Sequence, residues 1–134
     1  MIERFFSWNG RLARLPFFLR GIQVGIAAVV IFFASLPLFM NGGALLWWAG
    51  IVIVAFAGAV PVIATVALTV RRLHDLGLSG YHAIWVVAAD AASEVLSYGS
   101  AKAVLFSLPL AAIGLWLTFW PGNKNANRFG SVPD

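Results

Sequence analysis

The sequence predicts an all-α integral membrane protein: a bundle of four transmembrane helices with the N-terminus and the C-terminus both cytoplasmic. Three observations predict it. First, of 134 residues 61% are hydrophobic and only 10% charged, with a mean hydropathy of +0.90, whereas soluble domains hold roughly 45–50% apolar and about 25% charged residues. Second, no charged residue occurs between Arg20 and Arg71. As a single helix rising ~1.5 Å per residue, that run would measure roughly 75 Å against a hydrocarbon core of about 30 Å, so it must fold back on itself. Third, of the nine Lys and Arg residues only Lys102 falls on the far side of the spans so arranged, which puts both termini and the central loop in the cytoplasm by the positive-inside rule.

The elements follow in chain order. The segment before the first span carries Glu3, Arg4, Arg11 and Arg14, unlike the charged start and short apolar stretch of a cleaved signal peptide, so the first span is expected to be retained. That span is Phe17 to Met40. Asn41-Gly42-Gly43 makes the turn, since these residues tolerate left-handed backbone and Pro37 lies close by. The second span, Ala44 to Val70, is longer than a straight crossing needs and contains Pro61, which removes a backbone hydrogen bond and should bend it. Gly21 and Gly25, with Ala49, Gly50, Ala57 and Gly58, offer small surfaces for close approach of helix backbones. The third span, Tyr81 to Tyr98, is apolar enough to cross but holds Asp90 and Glu94. Ser97 to Lys102 reads as a short turn, and Ala103 to Trp120 is a final span stopped by Pro121-Gly122. All of residues 1–134 form one domain, with no room for a soluble catalytic module.

Composition also excludes some chemistry. No cysteine is present, which removes disulfides, thiolate metal sites and cysteine nucleophiles. The net charge of +4 and pI near 10.4 do not point to nucleic acid, because the basic residues flank apolar runs instead of forming a continuous face. They read as topology signals and lipid-headgroup contacts. Trp47 and Trp48 near one interface, with Trp8, Tyr81, Trp116 and Trp120 elsewhere, fit aromatic anchoring, and Trp116 has packing inside the bundle as its alternative.

Three polar segments stand out: Asn9-Gly10-Arg11-Leu12-Ala13-Arg14, Arg71-Arg72-Leu73-His74-Asp75-Leu76-Gly77-Leu78-Ser79-Gly80-Tyr81, and Gly122-Asn123-Lys124-Asn125-Ala126-Asn127-Arg128-Phe129-Gly130. All lie on the expected cytoplasmic face. This arrangement, and above all the Arg-Arg-Leu-His-Asp-x-Gly-x-Ser-Gly stretch, resembles the domain of unknown function 805 family, the YhaH-like bacterial inner-membrane proteins, over nearly the whole chain. The resemblance implies a multi-span protein of the bacterial inner (plasma) membrane and supplies no catalytic residue. The chain departs from the family's pattern in the third span, which is usually apolar and here reads Val87-Ala88-Ala89-Asp90-Ala91-Ala92-Ser93-Glu94.

Arg11, Arg14, Arg71, Arg72, His74, Asp75, Asn127 and Arg128 are the expected members of a cytoplasmic polar cluster. His74 beside Asp75 invites a general-base reading, but no serine, cysteine or metal-ligand set accompanies the pair. A local network is favoured, with Asp75 pairing Arg72, Arg11 or Arg14 and Gly77 to Gly80 turning into the third span. Docking of the Asn-rich tail on the central loop is favoured over fraying. Asp90 and Glu94, four residues apart, share a helix face, with Ser93 and Ser97 extending the polar stripe. An intramembrane carboxylate is costly unless protonated, paired or hydrated, so these two form an ion or proton path or, as favoured here, one of them pairs with Lys102 or snorkels to the outer interface, or the third span is short and leaves Glu94 in water. No cofactor or metal is called for. The expected function is a non-enzymatic interaction or accessory component, with anionic membrane lipids, another copy of the chain or a partner membrane protein as ligands. A small oligomeric transporter or ion-conducting protein using the intramembrane carboxylates is the alternative.

Overall fold

The computed structural model describes residues 3–40, 43–97 and 103–133, with side chains for all of these except residues 90, 91, 93–97 and 103–107. Among the described residues the regular elements are all helices: α1 (Glu3–Phe6), α2 (Arg14–Met40), α3 (Ala44–Asp75), α4 (His82–Ser97) and α5 (Ala103–Phe119). An isolated bridge joins Asn127 to Gly130 in the tail. Sequence reasoning gave the short α1 no separate place.

α2 has 27 residues with a mean hydropathy of 2.3 over its most apolar stretch, and α3 has 32 residues with 2.6, so both are long and apolar enough to cross a membrane. α4 and α5, at 16 and 17 residues, reach only roughly 24–26 Å at ~1.5 Å per residue. α2 begins at Arg14, ahead of the expected Phe17, because Pro16 falls in its first turn, where the missing N–H has no helical partner to lose. α3 runs through Pro61 and past Val70 to Asp75, so the charged stretch that looked like a loop is the last turn of a helix. Its end is built by Gly77, at φ 80°. There the Gly77 amide donates to the His74 carbonyl at 3.1 Å and the Leu78 amide to the Leu73 carbonyl at 2.9 Å, the paired bonds that close a helix through a left-handed residue. α5 stops at Phe119, just ahead of Pro121-Gly122.

α2 packs most extensively on α3, and α4 on α5. The close backbone approach expected at Gly21, Gly25 and Gly58 is not found: a Cβ built at any of the three meets nothing within 4 Å. Small side chains there open space between the helices, including a cavity of about 120 Å3 lined by Ala28, Ile31, Phe32, Val54, Ala57 and Gly58. Gly50 alone of these glycines is tightly covered, with Phe39 Cζ 3.0 Å from the position of an added Cβ. Asn41, Gly42 and Lys102, and with them most of both expected turns, lie outside the described residues.

The distribution of polarity is inverted relative to a water-soluble domain. Phe33 and Phe56 are 62% and 76% exposed, and many other apolar residues of α2 and α3 also face outward. Arg72 and Asp75 are 0% and 3% exposed. Apolar exposure on this scale matches lipid, and buried charge must be paired. The apolar core packs beside that buried charge: Val70, Leu73, Ala83 and Leu117, flanked by Phe17, Val66, Leu76 and Ile113. Trp47 and Trp48 sit edge to face at 5.3 Å by the α2–α3 turn, while Trp8, Tyr81 and Trp120 are exposed around the polar end.

Candidate functional site

The last turn of α3 supplies the centre. Arg72 and Asp75 are three residues apart on the helix and share a face, and the Arg72 Nη1 to Asp75 Oδ2 distance is 2.5 Å. Arg11, from the segment ahead of α2, approaches the other carboxylate oxygen: its Nε donates to Asp75 Oδ1 at 3.1 Å and its Nη2 lies 2.9 Å from the same atom. One buried carboxylate is thus shared by two buried guanidinium groups.

That arithmetic leaves one positive charge in excess, and backbone carbonyls absorb it. Arg11 donates through Nη1 to the carbonyls of Asn125 at 2.8 Å and Gly130 at 3.4 Å, and through Nη2 to that of Asn123 at 2.5 Å. Arg72 donates to the carbonyls of Leu117 at 2.7 Å, Leu12 at 3.5 Å and Trp120. The Leu117 and Trp120 carbonyls belong to the C-terminal end of α5, where carbonyls lack helical partners and the helix dipole is negative, so a cation is at its most favourable there. Only the planar five-donor fork of arginine serves so many acceptors from one point.

Backbone bonds close the clasp. The Leu12 amide donates to the Arg71 carbonyl at 3.1 Å, and the Asn123 amide donates to the Asp75 carbonyl at 2.9 Å. Gly122 lies against Asp75: a Cβ there would overlap Oδ2, so no side chain fits between the end of α5 and the carboxylate. Gly10, at φ 85°, turns the N-terminal segment so that its carbonyl meets His74.

His74 uses Nδ1 for that contact, 3.1 Å from the Gly10 carbonyl oxygen. A carbonyl only accepts, so Nδ1 is the donor in this contact. The imidazole stacks on Phe129, with ring centroids 3.9 Å apart and planes at 7°, and Arg128 covers Phe129 with its Cζ 4.7 Å from the ring centroid. Asn127 holds the tail in place by donating from Nδ2 to the His74 carbonyl at 2.9 Å and accepting at Oδ1 from the Phe129 amide at 2.9 Å. Beside His74 opens a cavity of about 400 Å3 whose walls include Trp8, Ser79, Gly80, Tyr81 and Phe129.

Of the residues singled out in the sequence, Arg11, Arg72, His74, Asp75 and Asn127 meet in one network, and Arg128 joins it through Phe129. Arg14 is exposed and makes no side-chain hydrogen bond among the described residues. Arg71 points elsewhere, donating to the Arg4 carbonyl at 3.0 Å. Asp75 bonds the two arginines and not His74, so the carboxylate does not orient the imidazole. Asp90 and Glu94 sit on α4, but their side chains, and the pairing with Lys102, lie outside the described residues. Sequence reasoning missed Asn123 and Asn125 as carbonyl acceptors, Gly122 as the gap that admits Asp75, and Phe129 as the partner of His74. Only the tail's density of Asn and Gly hinted at them.

The fold and this cluster define an all-helical protein, compatible with a membrane by its two long apolar helices, in which three polar segments are tied together at one end. The chain belongs to the family described as Protein of unknown function (DUF805), whose match runs over residues 5–131. Neither a curated protein nor a solved structure matches it.

Proposed function

We propose that this is a multi-pass protein of the bacterial inner membrane in which α2, α3, α4 and α5 each cross the bilayer, with both termini cytoplasmic, and that it serves as a non-enzymatic interaction or accessory component. The observation that carries this reading is how the buried charges are used: Arg11, Arg72 and Asp75 spend their donors and acceptors on holding the N-terminal segment, the end of α3 and the tail together. A cluster committed in this way organises a cytoplasmic surface. The short α4 and α5 are accommodated by local thinning of the bilayer or by snorkelling of flanking residues. The ligands of that surface are anionic lipid headgroups, a second copy of the chain or a partner membrane protein.

The absence of native cysteine makes the topology directly testable with single-cysteine variants. A membrane-impermeant maleimide applied to intact spheroplasts is expected to label Asn41→Cys and Ser100→Cys, and to reach Ser7→Cys, Ser79→Cys and Ser131→Cys only after lysis. Labelling of Ser79→Cys from outside contradicts the reading. The transporter alternative draws on the spacing of Asp90 and Glu94 along α4, which places both Cα atoms on one face. In proteoliposomes, ion flux with the Asp90→Asn/Glu94→Gln protein is expected to equal that of the unaltered chain. A flux abolished by that double substitution favours the transporter instead.

A further inference from the structure

A second group of arginines lies apart from the clasp. Arg20 of α2 donates from Nη1 to the carbonyl oxygen of Arg4 at 3.3 Å, and Arg71 of α3 donates from Nη1 to the same oxygen at 3.0 Å. The Arg20 and Arg71 side chains therefore converge on the backbone of Arg4, where α1 meets α2 and α3. Both ion pairs among the described residues belong to Asp75, so among those residues none of these three arginines has a carboxylate partner. Glu3, the acid on α1, is exposed and joins neither pair. The Arg71 Nε is buried and has no hydrogen-bond partner among the described residues. Gathering like charges without a counter-ion is unfavourable, and leaving a buried donor unmet adds to the cost. The arrangement becomes favourable once an anion with several acceptor oxygens arrives.

An apolar groove begins beside these charges. It has a volume of about 210 Å3 and is lined by Phe5, Phe6, Gln23, Val24, Ala27, Ile31, Val60, Pro61 and Ala64. Phe5 directly follows Arg4. Gln23, Val24, Ala27 and Ile31 descend from Arg20 at the three- and four-residue steps of one helix face, and Ala64 and Val60 descend from Arg71 in the same way on α3. The groove runs along α2 and α3, the two longest helices, from the turns next to Arg20 and Arg71, and its walls are almost wholly apolar.

We infer that this groove is a binding site for one anionic phospholipid, its phosphate held by Arg4, Arg20 and Arg71 and an acyl chain lying between α2 and α3. Arginine forks match phosphate oxygens in pairs. A zwitterionic headgroup brings an ammonium into the same three positive charges and is disfavoured. A free phosphate lacks the chain that fills the groove. The site is separate from the clasp and rests on the proposed membrane reading only in needing α2 and α3 to face a cytoplasmic leaflet.

The test is native mass spectrometry of the full chain in mild detergent, titrated with phosphatidylglycerol, phosphatidylethanolamine or inorganic phosphate. One phosphatidylglycerol per chain is expected to survive activation that strips phosphatidylethanolamine, with no adduct from phosphate. Arg20→Gln and Arg71→Gln are each expected to weaken retention roughly fivefold, the factor that corresponds to about 1 kcal/mol per basic residue at an anionic surface. Ala27→Phe, which fills the groove and leaves every charge in place, is expected to weaken it as well, so the site stays testable if Arg71→Gln fails to fold. Lys124→Gln, an equal loss of charge elsewhere, is expected to leave retention unchanged. Equal retention of the two lipids overturns the site. So does binding of phosphate as tight as that of lipid, or a loss with Lys124→Gln as large as with Arg20→Gln. Carbonate extraction keeps the two readings apart: a chain released by carbonate overturns the membrane reading, whereas a membrane-retained chain with no lipid preference overturns only the site.

Discussion

Asp75→Asn is expected to cost about 3–5 kcal/mol of folding stability, the range for removing one partner from a buried ion pair. The substitution keeps the size of the side chain, which Gly122 limits, and deletes the only charge that, among the described residues, compensates Arg11 and Arg72. Two guanidinium groups, both almost wholly buried, would then face carbonyl dipoles alone. Denaturant unfolding in a defined detergent measures the loss. The diagnostic step is to add Arg11→Met, which removes one of the stranded charges. The double variant is expected to be less destabilised than the two single losses added together, because both remove the same interaction. Strict additivity would mean that Arg11 and Asp75 do not act as a pair.

Arg72→Lys is the second large effect, expected at about 2–3 kcal/mol although the charge is kept. The Arg72 Nε bonds the Leu117 carbonyl at 2.7 Å, Nη1 bonds Asp75, and Nη2 bonds the Trp120 carbonyl, so three directions are served from one plane. An ammonium group is a point charge that satisfies the carboxylate and cannot reach both ends of the α5 terminus. Charge-assisted hydrogen bonds contribute roughly 1.5–3 kcal/mol each, and at least one is lost. The same unfolding assay applied to Arg128→Lys, on the exposed outer side of Phe129, is expected to show a change within about 0.5 kcal/mol. Equal effects at the two positions would remove the geometric argument.

These effects show which parts of the molecule the sequence could reveal. The helical segments were legible because an uncharged apolar run has few ways to satisfy its backbone, and because Gly77, Pro121 and Gly122 carry conformational meaning by themselves. The central residues of the clasp were legible as well, since buried charges in so apolar a chain must seek one another. What could not be read was the choice among acceptors. Arg11 finds the carbonyls of Asn123, Asn125 and Gly130, and a backbone carbonyl leaves no mark in the residue letters. Arg71 and Arg72 are neighbours of one type, yet 100° of helical rotation sends Arg72 into the clasp and Arg71 toward Arg4. The glycines of the first span misled for a related reason: a small side chain permits close approach and does not require it. At Gly21 and Gly25 the neighbouring helix stays away, and the apolar groove under the three arginines lies on the same pair of helices.

The central claim is that the tail is part of the folded polar end, held there by Asp75 and its two arginines. Hydrogen exchange at the Asn123, Asn127 and Gly130 amides, measured in lipid nanodiscs, tests it most directly, because these amides donate to the carbonyls of Asp75, Gly130 and Asn127 at 2.9, 3.1 and 3.0 Å. All three are expected to exchange far more slowly than in a free peptide, and to lose that protection together in Asp75→Asn. Exchange at free-peptide rates in the unaltered protein would contradict the clasp.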